Sequence, residues 1–402
     1  MAIVEASRIN AFEAGPQSAD LKDRTQAVTV IAAKNAVGVD RDARFPDEAI
    51  TAARAQGLLG IMVPQNLGGE GATLGDVVDV CYSLGRACSS TAMIYAMHQI
   101  KVACLVRHRQ ENAWHEGLLR RLCAKQLLLA SSTTEGRGGG NVRSSEAPIE
   151  RNGSRITLER RATVISYGAN ADAIVTTARR SPDAPASDQI LVAFCKEDYS
   201  LEPLLEWDTL GMRGTCSAGF TLRASGDSDQ ILPDPYEKIH AQTMVPVAHL
   251  TWASVWAGIA AAAVERAQSL IRHSARQANG QLPPGAAHFT KARASLGTLR
   301  GLLASSLRRY EEVLHDEQAV ASLDFQSTIN LTKVEVSELA ISTVMSALRA
   351  CGLSGYRNDS DFTIGRYLRD VLSSSIMINN DRILANIAAA SLMSAIPNSL
   401  RN

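Results

Sequence analysis

Near the end of the chain, "RDVLSSSIMINNDRI" (residues 369–383) sets an Arg-Asp pair, three serines, an apolar Ile376–Ile378 and an Asn-Asn-Asp cluster side by side. Such a stretch is either the end of a core helix or one wall of an active site. Other short runs carry groups suited to binding. In "TTEGRGGGN" (133–141) the Thr133 and Thr134 hydroxyls can bond a ring or a ribose. The glycines that follow can turn backbone N–H groups toward a phosphate, although the spacing is not GxGxxG. Ser166, in "RATVISYGANAD", can donate from a strand end. "LGMRGT" holds a lone arginine in a small apolar turn, where a buried guanidinium needs a partner. Arg276 closes a helix, where a cation suits either the helix dipole or a phosphate.

The elements that must hold these groups fall into three textures. Residues 1–128 are mainly helix-like, with apolar positions three and four apart in "AVTVIAAKNAV" and "FPDEAITAARAQGLLG" and one long apolar helix through "VVDVCYSLGRACSSTAMIYAMHQIKVACLVRH". Residues 129–240 are short runs rich in Ile, Val, Thr and Phe, with a hairpin at "RNGS". From 241 to 402 helices return in blocks at 244–279, 286–318, 325–352 and 367–397. The expected class is therefore α+β, mainly α, and not a doubly wound sheet, because strands and helices do not alternate singly.

Composition excludes several roles. Lys+Arg and Asp+Glu both number 41, so no net field draws the chain to nucleic acid or an anionic membrane. "MAIVEASRINAFEAG" has neither the basic start nor the apolar run of a secretory signal. The seven cysteines are scattered and never spaced CxxC, which suits buried thiols in a reducing cytoplasm. The eight histidines form no HxxxH or HExxH pair, so no metal site is expected.

Taken in order, six segments resemble the acyl-CoA dehydrogenase superfamily: "GLLGIMVPQNLGGEG", "STTEGRGGGN", "VISYGANADAIVTTAR", "LGMRGT", "ARQANGQL" and "LRACGLSGYRNDSDFTIGRYLRD". The resemblance covers roughly residues 20–390 and implies an N-terminal helical domain, a middle β domain and a C-terminal four-helix bundle, assembled as a tetramer. It implies FAD, with FMN as the alternative, between the β domain and the bundle. Thr133, Thr134 and Ser166 would then approach the flavin ring. Arg276 and Arg349 would suit its phosphates, with Gly352 in the adjoining glycine segment. Several positions depart from the family pattern: Val164 replaces a flavin-packing Trp, and Gly140-Asn141 replaces a Ser-Asp.

The resemblance also exposes a gap. Acyl-CoA dehydrogenation needs a carboxylate to remove the α-proton of a thioester while the β-hydride leaves for the flavin. The family places that glutamate eight residues after the RD pair, where this chain has Ile378, or on an earlier bundle helix, where it has Trp252. Asp381, one turn beyond Ile378, is a candidate relocated base, although Asn-Asp ahead of "RILANIAAASL" is also an ordinary helix start. Glu135 is a second carboxylate, with a structural role expected, and His98 could reach the pocket roof. The other reading is a flavin monooxygenase on the same fold, combining reduced flavin with O2. That chemistry needs donors such as Ser374, Ser373, Ser375, Asn379 and His98 rather than a strong base. A third reading is a flavin-bound scaffold without turnover. Sequence narrowly favours dehydrogenation of an acyl-CoA-like thioester, with an electron-transfer flavoprotein as acceptor; oxygenation would instead require a flavin reductase.

Overall fold

The computed structural model describes residues 17–135, 144–393 and Ile396. Five helices come first: α1 Gln17–Arg41, α2 Asp47–Ala55, α3 Leu74–Ala87, α4 Ser89–His108 and α5 Ala113–Lys125. The stretch read as one long helix is two, α3 and α4, because Cys88 is extended and Ser89, Ser90 and Thr91 favour a fresh start over a helix interior. A Thr73–Asp76 capping box begins α3. Its Gly85 faces Gly258 across the bundle, where added side chains would strike backbone on either helix. The two helices therefore cross in close contact.

Among the described residues seven strands follow: β1 Leu129–Ser132, β2 Ile149–Asn152, β3 Arg155–Ala162, β4 Ala173–Arg179, β5 Gln189–Cys195, β6 Tyr199–Leu205 and β7 Gly219–Asp227. They form a three-stranded sheet, β1-β4-β5, and a four-stranded antiparallel sheet, β2-β3-β7-β6. The "RNGS" hairpin joins β2 to β3 through Gly153, at φ +63°. In β3 inward and outward residues alternate, as one buried face requires.

The C-terminal region opens with α6 Tyr236–Ile239, a π-helical turn at His240–Met244, and the long α7 Val245–Gln277. It continues through α8 Ala286–Val313, α9 Glu317–Ala321 and α10 Leu323–Tyr356. The expected fourth block is broken into α11 Gly365–Val371, α12 Ser373–Ile376 and α13 Asn380–Met393. The helix formed by Tyr236–Gln277 is long and apolar enough to cross a membrane, yet 94% of its most apolar window is buried inside the protein. Its hydrophobicity is that of a bundle core.

The break in the last block has its cause on another helix. Lys333, on α10, is buried, and its Nζ donates to the carbonyls of Ser374 (2.9 Å) and Ile378 (3.0 Å) and to Oδ1 of Asn380 (2.6 Å). Holding these acceptors together bends the chain so that Ile378 takes φ +47°, rare for a β-branched residue. Asn379 then restarts the helix, its side chain accepting from the N–H groups of Asp381 and Arg382.

Candidate active site

A cavity of about 870 Å3 lies between the start of α7, the first turns of α10, α13 and the loop joining β4 to β5. Ile378 and Trp252 both line it. The two positions at which the sequence lacks a glutamate thus face one space. The remaining wall includes Tyr236, Met244, His249, Ser327 and Asn330. Among the described residues, Trp252 Nε1 and Ser327 Oγ are buried without a hydrogen-bond partner. Unmet donors on a cavity wall are what a bound ligand would satisfy. Burial, with Lys333 nearby, lowers the His249 pKa to about 3, so the ring is neutral.

Among the described residues, the carboxylates lining the cavity are Asp188 and Glu237, toward its exposed side. Asp188 is paired with Arg180, and Glu237 is exposed. Asp381 does not line the cavity; it is exposed in the first turn of α13, where a negative charge favours the helix dipole, and Asn379 rather than Asp381 supplies the cap. The relocated-base expectation at Asp381 is corrected by this placement. Glu135 is structural, as expected: it accepts from Ser145 Oγ (2.9 Å) and pairs with the buried Arg160 (3.1 Å).

His98 is likewise no pocket donor. Leu129 N–H donates to its Nδ1 (3.0 Å), which leaves Nε2–H to donate to Leu59 O (2.8 Å). Both nitrogens fasten α4 to backbone, and burial lowers the pKa to about 4. Ser374 is buried with its hydroxyl 3.5 Å from Ser337 O, and its carbonyl serves Lys333. The hydroxyls of Ser373 and Ser375 bond backbone carbonyls one turn back.

The flavin-binding candidates occupy two places. Thr133 and Thr134 are half-buried just beyond β1, while residues 136–143, with the glycines and Asn141 of the loop, lie outside the described residues. Ser166 is buried, accepts from Ser217 Oγ (2.7 Å), and so keeps its own proton for another acceptor. The same β-domain turn is tied to the bundle by Met212 N–H, which donates to buried Asp370 (2.8 Å). Arg213 is bound by the carbonyls of Asp40 and Thr209, which answers its need for partners.

Arg276 and Arg349 are exposed at the C-terminal ends of α7 and α10. These ends lie together, since His273 contacts Phe362 and Gly285 abuts Ala350. Gly352 breaks α10 there at φ +55°, beside open space.

Two residues that matter were missed in the sequence. Lys101 is the one charged residue in "AMHQIKVACLV", and that isolation was the available signal; Lys333, two residues before Glu335 in "INLTKVEVS", carried none.

Family models agree with this architecture. The model for the acyl-CoA dehydrogenase N-terminal domain matches residues 22–126, and that for its C-terminal domain matches residues 250–376. The chain belongs to the acyl-CoA dehydrogenase superfamily. It is 23% identical over 368 residues to a probable acyl-CoA dehydrogenase, fadE25, of Mycobacterium leprae, covering 90% of this chain and 91% of that one. It is 25% identical to the amino sugar nitrososynthase DnmZ of Streptomyces peucetius, covering 84% of each. FMN-bound TdsC from Paenibacillus sp. A11-2, a dibenzothiophene monooxygenase, superposes with a TM-score of 0.82 at 17% identity, covering 94% of this chain and 98% of TdsC. Members of this superfamily similar to the chain include flavin-dependent dehydrogenases and monooxygenases, and the chain is an enzyme of that flavin-dependent kind.

Proposed function

We propose that this enzyme is a flavin-dependent monooxygenase acting on a small organic substrate held in the cavity beside Ile378 and Trp252. The observation that carries the reading is the inner wall. Both positions for a family glutamate face the cavity as apolar side chains, and the carboxylates that reach it stand at the rim. Among the described residues neither family position offers a carboxylate for abstraction of an α-proton, and the neutral His249 is too weak a base to replace it, whereas oxygenation requires none beside the substrate. The likeness to DnmZ and TdsC supports the same choice.

A bound flavin, FAD or FMN, supplies the two-electron redox chemistry. In the net reaction one atom of O2 enters the substrate and the other leaves as water, with two electrons from reduced flavin and two protons. Thr133, Thr134 and Ser166 would orient the ring. Arg276 and Arg349 would hold phosphate, in a neighbouring copy if the chain forms the family tetramer. Ile378, Trp252 and Met244 would keep water from the substrate. Trp252 Nε1 and Ser327 would orient it by donating hydrogen bonds. A separate flavin reductase would be the partner.

Dehydrogenation of an acyl-CoA, with an electron-transfer flavoprotein as acceptor, is the second reading, and the likeness to fadE25 favours it. One experiment separates the two. Protein loaded with oxidised flavin is mixed anaerobically with a panel of acyl-CoAs while the visible spectrum is recorded. Protein loaded with enzymatically reduced flavin is mixed with 18O2 and a panel of aromatic, amine and organosulfur compounds. Label in a product, with the acyl-CoA spectra unchanged, is the expected result. Bleaching by an acyl-CoA without label incorporation would overturn it.

A further inference from the structure

One turn along α4 from His98, Lys101 is fully buried, and the acceptor it reaches among the described residues is a thioether, Met244 Sδ, at 3.7 Å. The Tyr236 hydroxyl, also buried, donates to the same sulfur at 3.6 Å. Met244 and Tyr236 both line the cavity. Two strong donors therefore converge on one weak acceptor at the cavity wall. A thioether returns little of the solvation that a buried ammonium and phenol give up.

Among the described residues, the surroundings do not compensate the charge. Around Lys101 stand Cys104 on the same helix, Arg160 on β3 and Tyr236 on α6. Burial pushes both the Cys104 thiol and the Tyr236 phenol upward, so neither is an anion near neutrality. Arg160 is a second cation, and its carboxylate partner is Glu135. Methionine is the side chain most able to move aside, having three rotatable bonds and no strong partner of its own.

We propose that Lys101 and Tyr236 form an oxyanion-recognition site at the inner wall of the cavity, reached when Met244 swings away. The substrate class is then a small organic anion, a carboxylate or an oxidised-sulfur acid. This deepens the proposed function, since it names the substrate of that same cavity, but its test does not depend on turnover.

The probes are octanoate, octane-1-sulfonate and 1-octanol, titrated calorimetrically into flavin-loaded protein at pH 7. The two anions should bind at least tenfold more tightly than the alcohol. Lys101→Met should abolish that preference while leaving the affinity for 1-octanol within twofold. Lys101→Arg should retain most of it, and Tyr236→Phe should reduce it about threefold. Thermal melting of each variant reports folding separately. Equal affinity for the three probes in the unmodified protein, or a preference that survives Lys101→Met, would overturn the proposal. Failure here with 18O incorporation intact would remove the anion site and leave oxygenation standing. Anion preference without oxygen incorporation would do the reverse.

Discussion

Lys333 and Lys101 are both buried in helices of one molecule, and their surroundings could hardly differ more. Lys333 meets three oxygen acceptors between 2.6 and 3.0 Å and lies 5.6 Å from the ring centre of Trp256. Asn380, one of the three, in turn donates to Glu338. Lys101 meets a sulfur. Burial lowers both ammonium groups, to about 7 and about 8. Burial and titration therefore do not distinguish them, and coordination does. A buried charge whose donors are all met is part of the scaffold. One whose donors are left to a weak acceptor keeps hydrogen-bonding capacity that a ligand could use.

Substitution of the two lysines should break the likeness most sharply. Lys333→Met leaves the Ile378 carbonyl and the Asn380 amide oxygen without this donor, while Ser374 O keeps the Ser337 hydroxyl; at roughly 1–3 kcal/mol each before relaxation, a loss of about 3 kcal/mol is expected. Lys101→Met removes a poorly solvated charge and should leave stability unchanged or raise it by about 1 kcal/mol. Denaturant unfolding of both variants makes the comparison, and equal losses would erase it.

A second contrast concerns the histidines. His98 is depressed to about 4 and His249 to about 3, below the free imidazole value of about 6.5. Between those values the unfolded chain binds protons that the folded one refuses, so stability falls as pH drops from 6.5 toward 4. The loss is of the order of 2 kcal/mol per histidine by pH 5. Melting temperatures at pH 7 and pH 5 measure it, and His98→Gln should flatten the slope while weakening the junction of α4 with β1.

Smaller effects should follow at the flavin and at the rim. Ser166→Ala removes one neutral donor and should weaken flavin binding about fivefold to tenfold, read by fluorescence titration of the apoprotein. Asp381→Asn should change turnover by less than twofold and stability by less than about 0.5 kcal/mol, as befits an exposed carboxylate. A turnover loss of tenfold or more would restore Asp381 as the base.

The α+β frame was legible because its signals are periodic and repeated. Alternation in "RITLER" and threefold–fourfold spacing in "AVTVIAAKNAV" each recur over whole elements. Of the two family glutamate positions, Ile378 was legible by counting eight residues from the RD pair and Trp252 by aligning "AGIAAAAVERA". What the sequence hid were events between elements. His98 reads as a reactive group until Leu59 and Leu129, 39 and 31 residues away, are seen to occupy its nitrogens. The break after α12 comes from a lysine 45 residues before Ile378, and no local propensity could announce it.

The π-helical turn at His240–Met244 places Met244 on the wall shared with Tyr236. Such a turn carries one residue more than an α-helical turn, and each residue along a helix advances its side chain by about 100°. Deleting a single residue there would heal the helix and rotate everything upstream by that step, carrying Tyr236 off the cavity while α7 stayed in place. On the proposed anion site, the choice of substrate would then hang on one codon's worth of length, a change in which every surviving residue keeps its identity and only its bearing is lost.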